Sequence, residues 1–173
     1  MNIDNLNPEQ IIAEMAAALR ALLDGRGIDD PVIVGIYTGG VWIAQRLHQA
    51  LALNSPLGTL DISFYRDDFT RVGINPQVKP SQLPVSIEDR HIILVDDVLH
   101  TGRTIRAALN ELFDYGRPAS ILLTALVERG GRELPIQADV AGAHVTLAPG
   151  QHIKLHGPAP LRLSLVEAAH HRV

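Results

Sequence analysis

The chain contains no cysteine. That absence excludes disulfides, thiolate-bound zinc and thiol nucleophiles, and leaves the redox compartment open. Also missing is any apolar run near the roughly 20 residues that a bilayer crossing needs. Met1-Asn2-Ile3-Asp4 has neither the basic start nor the apolar core of a secretory signal. The expected location is the cytoplasm, without a membrane partner. Aromatic residues make up only 4%, and there is no surplus of positive charge, the net charge being -4 with histidine neutral. A protein built to coat nucleic acid broadly is therefore not expected. No repeat, heptad or low-complexity tract divides the chain, so residues 1–173 are expected to form a single domain.

What is present reads as alternating strands and helices. Asn7-Pro8-Glu9-Gln10 has the form of a helix start, and Ile11, Ile12, Met15, Leu19, Leu22 and Leu23 follow at helical spacing until Gly25 and Gly27. Val32-Ile33-Val34-Gly35-Ile36 suits a strand buried on both faces. Thr38-Gly39-Gly40 then forms a tight turn into a helix over residues 41–51. An apolar stretch at 57–65 precedes a long polar segment, expected to be a lid at about 65–88. His91-Ile92-Ile93-Leu94-Val95 is the clearest buried strand, and residues 104–115 the clearest later helix, stopped by Gly116 and Pro118. Residues 120–127 read as another strand. From Arg129 onward short apolar pieces suggest an irregular or β-rich appendage, expected as a hood at about 129–160. The fold class is α/β, a mainly parallel sheet flanked by helices.

In such a sheet ligands bind beyond the carboxyl ends of the strands, which directs attention to residues 96–104. Thr101-Gly102-Arg103-Thr104 supplies two hydroxyls, a glycine for close backbone approach, a cation and the N–H groups of a helix start, a set suited to a phosphate monoester. Asp96-Asp97 lies just before it. Two carboxylates would repel a phosphate unless they face hydroxyls, and a vicinal diol offers two of them. With a hydrated magnesium ion nearby, the ligand implied is a ribose phosphate.

Residues 93–104 resemble the fingerprint of the type I phosphoribosyltransferases. Leu60-Asp61-Ile62-Ser63-Phe64-Tyr65-Arg66-Asp67-Asp68, Tyr115-Gly116-Arg117-Pro118-Ala119, Arg132-Glu133-Leu134-Pro135-Ile136 and Ala138-Asp139 are similar to segments of one family within it, PyrR. The resemblance implies the type I fold and the reaction of uracil with phosphoribosyl pyrophosphate to give UMP and pyrophosphate, with Mg2+ and with a role in regulating pyrimidine biosynthesis. It implies that Asp96 and Asp97 bind the ribose hydroxyls, that Thr101, Gly102, Arg103 and Thr104 bind the 5-phosphate, and that Thr38, Gly39 and Gly40 approach pyrophosphate. Arg66 in the lid would meet the leaving group, with Arg71 and Lys79 as weaker candidates, and the base would sit near residues 127–135. No residue is assigned directly as a metal ligand. His100 is expected to be a tolerated, exposed side chain of the phosphate loop.

The family resemblance also implies a homo-oligomer and, for some members, RNA as a partner. Tyr37 and Gly39 stand where many members carry basic residues in the first turn, so weakened pyrophosphate handling is expected. Ala16, Ala17 and Arg20 on the first helix, and Gly131, Gln137 and Ala143 beside Arg132, leave few contacts for RNA phosphates, so weak or absent RNA binding is expected. Two other readings keep the fold: a non-catalytic sensor of uridine nucleotides, and a phosphoribosyltransferase for another base.

Overall fold

The computed structural model describes residues 2–63 and 81–168. Helix α1 (Pro8–Arg26) begins on Asn7, whose side chain accepts from the N–H groups of Glu9 and Gln10, with Pro8 at the first turn. It ends at Gly27, whose φ of 65° is the left-handed cap that a glycine adopts without strain. Strand β1 (Val32–Ile36) is buried throughout and leads into α2 (Gly39–Ala50). Of the apolar stretch at 57–65, only β2 (Gly58–Leu60) is strand among the described residues. Then come β3 (His91–Leu99), α3 (Arg103–Tyr115), β4 (Ser120–Arg129), β5 (Val140–Val145), β6 (Gln151–His156) and β7 (Arg162–Glu167).

Strands β2-β1-β3-β4-β5 form one parallel sheet in that order, and β6 and β7 form a separate antiparallel pair. Within residues 129–160, β5 therefore belongs to the central sheet, while β6 pairs with a strand reaching Glu167. Alternate residues of the central strands feed two cores. Ile33, Ile93 and Val95 pack with Leu19, Leu23, Ile43 and Leu47 of α1 and α2. Val34, Ile92 and Leu94 pack with Ile105, Ala108 and Leu112 of α3 on the other face. Burial on both faces is why these strands read as unbroken apolar runs and not as alternating ones.

One departure from the sequence reading matters for function. The acidic pair was placed after the strand, yet β3 continues through Asp96 and Asp97 to Leu99. The reason is unequal pairing. Strand β1 accompanies β3 only as far as Val95, whereas β4 accompanies it to Leu99. Past Val95 one edge of β3 is left to the β1–α2 turn. The chain runs from β1 to β2 on one side and resumes with β3 on the other, so a topological switch point, the usual ligand crevice of an open α/β sheet, falls between β1 and β3.

Candidate functional site

Two turns meet at this switch point. The first is pressed hard against β3. A Cβ on Gly40 would lie 2.5 Å from the Val95 carbonyl oxygen, and one on Gly39 would lie 2.6 Å from Asp97 Oδ2. The structure thus brings Gly39 and Gly40, which follow Thr38, against the acidic pair, and only residues without a Cβ allow it at these two positions. The peptide between Tyr37 and Thr38 is cis.

The second turn opens α3. Gly102 caps the helix at φ 94° and has no side chain with which to cap it. The Arg103 N–H donates to Thr101 Oγ1 at 3.1 Å, which folds the loop over its own threonine. Helix α2 likewise starts on Thr38 without a side-chain cap. Two helix N-termini, each with the partial positive charge of its first N–H groups, therefore lie beside the end of β3.

Asp96 is only 5% exposed and accepts the Asp97 N–H on Oδ1 at 2.9 Å, while Asp97 Oδ1 accepts the Val98 N–H at 2.8 Å. Each carboxylate is thus oriented through one oxygen by the next peptide. Asp96, Thr101, Gly102 and Thr104 line a common cavity of about 130 Å³. One of the two carboxylates marked for a diol and three of the four residues marked for a phosphate thus share one space, while Asp97 and Arg103 lie outside its lining.

A larger cavity of about 440 Å³ adjoins it, walled by Glu128, Arg129, Arg132 and Gln137 among others. His100 lines both cavities and is half-buried, where the sequence suggested an exposed side chain. Burial lowers its pKa below the ordinary 6.5, the Arg129 and His152 charges push the same way, and Glu133 opposes them. Neutral imidazole is the favoured form at neutral pH. Nothing in the local sequence announces this position, because the larger cavity's walls come from β4, β5 and the residues between them.

The Arg103 side chain is half exposed, and its Nε donates to Glu133 Oε2 at 2.8 Å. The N–H groups of Glu133 and Leu134 also reach the Thr101 carbonyl. Sequence reasoning missed this contact, since thirty positions separate Arg103 from Glu133. Arg66, Arg71 and Lys79 lie outside the described residues, as does most of the expected lid. Among the described residues no cluster of three or more histidines or carboxylates gathers to hold a metal by itself.

Comparison with known proteins places this geometry. The profile of the phosphoribosyl transferase domain matches residues 2–153. The Bifunctional protein PyrR of Nitrosococcus oceani is 58% identical over 163 residues, covering 93% of this chain and 92% of the relative. The Bifunctional protein PyrR of Pseudomonas syringae pv. tomato is 59% identical over 159 residues, covering 92% and 94%. Among solved structures, the hypoxanthine phosphoribosyltransferase of Trypanosoma cruzi aligns with a TM-score of 0.67 at 19% identity, over 94% of this chain and 93% of that one, a likeness of fold alone. A switch-point crevice with an acidic pair and an uncapped helix start thus has close sequence relatives over nearly its whole length, and the chain belongs to the PyrR family of phosphoribosyltransferases.

Proposed function

We propose that the protein transfers the phosphoribosyl group of phosphoribosyl pyrophosphate to uracil, forming UMP and pyrophosphate, and that it serves in the regulation of pyrimidine biosynthesis. The observation that carries this is the cavity that Asp96 shares with Thr101, Gly102 and Thr104 of the helix start, which makes complementary demands on a ribose 5-phosphate. In this reading Asp96 and Asp97 accept hydrogen bonds from the ribose hydroxyls. The N–H groups at the start of α3, with Thr101 and Thr104, hold the 5-phosphate. Backbone N–H groups of Thr38, Gly39 and Gly40 face the pyrophosphate.

As pyrophosphate leaves the anomeric carbon, positive charge develops on the ribose ring and negative charge on the departing oxygens. The carboxylates of Asp96 and Asp97 stand beside the first, and the N-terminus of α2 beside the second. Arg66 is proposed to add a cation to the leaving group. The uracil ring is assigned to the larger cavity near residues 127–135, within reach of His100.

Magnesium fits these residues in one way. A cage of protein ligands is absent among the described residues, but Mg2+ commonly keeps its waters and uses one or two carboxylates together with substrate phosphates. Asp96 and Asp97 are the carboxylates that would hold it. Bound there with pyrophosphate, the ion would supply neutralisation of the leaving charge.

A uracil-dependent UMP assay tests the reading. Wild-type protein is expected to form UMP, and the Asp96→Asn/Asp97→Asn double variant to lose about 10²- to 10⁴-fold in kcat/KM, since two charge-assisted hydrogen bonds are removed. UMP formation no faster than in that variant ends the enzyme assignment. UMP binding without turnover would instead favour a sensor, the reading supported by Tyr37 and Gly39 in the first turn.

Weak RNA binding is supported by where the nearby cations are spent. Arg20 donates to the Leu51 carbonyl, Arg26 pairs with Asp139 at 3.6 Å, and Arg132 pairs with Glu128 at 3.8 Å. Tight, salt-sensitive binding of a pyrimidine-operon leader RNA would contradict this part of the proposal. A homo-oligomer is proposed from the family, with sedimentation as its check.

A further inference from the structure

Residues 130–139 join β4 to β5, a parallel pair whose crossover contains no helix. A helical crossover satisfies its own backbone; an irregular one must find partners elsewhere. At its far end Asp139 does so on β4, its N–H donating to the Leu123 carbonyl and its Oδ2 accepting the Leu123 N–H, both at 2.8 Å. In the middle the partners belong to the loop before α3. The Glu133 and Leu134 N–H groups donate to the Thr101 carbonyl at 3.0 and 3.1 Å. The Glu133 carboxylate adds the 2.8 Å contact to Arg103 Nε. Gly102 lies directly beneath, where a Cβ would come within 3.3 Å of Cβ of both Leu134 and Ile136.

These contacts bear on anion binding. A loop that receives a phosphate must turn N–H groups inward and carbonyls away. The Thr101 carbonyl, accepting two N–H groups of the crossover, is held by that segment and not left to face an anion. Arg103 is a long side chain, and its ion pair is half exposed at both partners, at 51% and 52%. Such a pair contributes little to stability but restricts where the guanidinium can lie.

We infer that Glu133 is a positioning residue of the phosphate site, fixing the Arg103 side chain behind the loop 101–104 while its segment braces the Thr101 carbonyl. This rests on the reading that residues 101–104 receive the 5-phosphate. The segment Arg132-Glu133-Leu134-Pro135-Ile136, marked in the sequence as part of a base-binding appendage, thereby acquires a role toward the phosphate.

The test is calorimetric titration of ribose 5-phosphate into the full chain and its variants, with Tm measured for each. Glu133→Ala is expected to weaken binding about two- to threefold, with Tm nearly unchanged. Glu133→Gln, which keeps an acceptor for Arg103 Nε, is expected to recover most of that loss. In an Arg103→Ala background, Glu133→Ala should cost nothing more, because the carboxylate acts through the guanidinium. Binding by Glu133→Ala as tight as wild type or tighter overturns the inference, as does an equal loss in the Arg103→Ala background or a loss matched by a fall in Tm. Failure of the wild-type protein to bind ribose 5-phosphate would instead strike the phosphate assignment, and this inference with it.

Discussion

At the end of β1 the chain passes through Tyr37 and Thr38 and is already helical at Gly39, whereas at the end of β3 it takes His100, Thr101 and Gly102 to reach α3. Both turns stand at the same crevice and both start a helix without a side-chain cap, yet they use glycine differently. Gly39 and Gly40 serve by lacking a Cβ beneath which β3 passes. Gly102 serves through its positive φ, in a loop that encloses a cavity and is braced from behind by residues 133–136. Packing accounts for the glycines of the first turn whether or not an anion binds there. The second turn carries features that packing alone does not require: an acidic pair, two threonines and an enclosed space.

Substitutions can separate the two uses. Gly40→Ala should have the largest effect on stability, about 2–3 kcal/mol by denaturant unfolding, because the new methyl meets the Val95 carbonyl at 2.5 Å and the Asp96 Cα at 3.2 Å, both backbone. Gly102→Ala should cost about 1–2 kcal/mol, from a left-handed φ and a tight approach to Leu134 and Ile136, and should weaken ribose 5-phosphate binding as well. Gly39→Ala meets only the Asp97 side chain, whose carboxylate can rotate away and whose Cβ, at 3.0 Å, needs a shift of a few tenths of an ångström. It is expected to leave stability within about 0.5 kcal/mol but to lower UMP formation about tenfold through the displaced carboxylate. If Gly39→Ala and Gly40→Ala behaved alike, the distinction between a movable and an immovable neighbour would fail.

The smallest effect is a pH dependence at the boundary between the cavities. The folded chain disfavours the His100 imidazolium, so the unfolded state binds more protons. The neutral imidazole's contribution to stability is complete above its ordinary pKa of 6.5 and is lost as pH falls through its lower folded value. His100→Asn should therefore lose less stability than wild type between about pH 7 and pH 5. Parallel stability curves for the two proteins would show that burial at this position is energetically idle.

Much of this was legible without coordinates because it is local. The Asn7-Pro8 helix start, the Gly27 stop, the buried run before Asp96 and the Thr-Gly helix start each depend on a few adjacent residues. The errors arose where distant segments meet. That β3 continues past the acidic pair depends on β4 extending further along it than β1 does. That His100 is half-buried depends on walls from β4, β5 and the crossover between them.

The sequence by itself determined the chemistry of the site: carboxylates for hydroxyls, and a threonine-glycine helix start for phosphate, since these are properties of residue type and short-range backbone geometry. Only the tertiary structure decided that Asp96 and this helix start share one cavity, that the first turn's glycines are demanded by β3, and that Glu133 reaches Arg103 across an irregular crossover. Those facts depend on strand order and on backbone groups that must find partners far along the chain, and no local pattern encodes them.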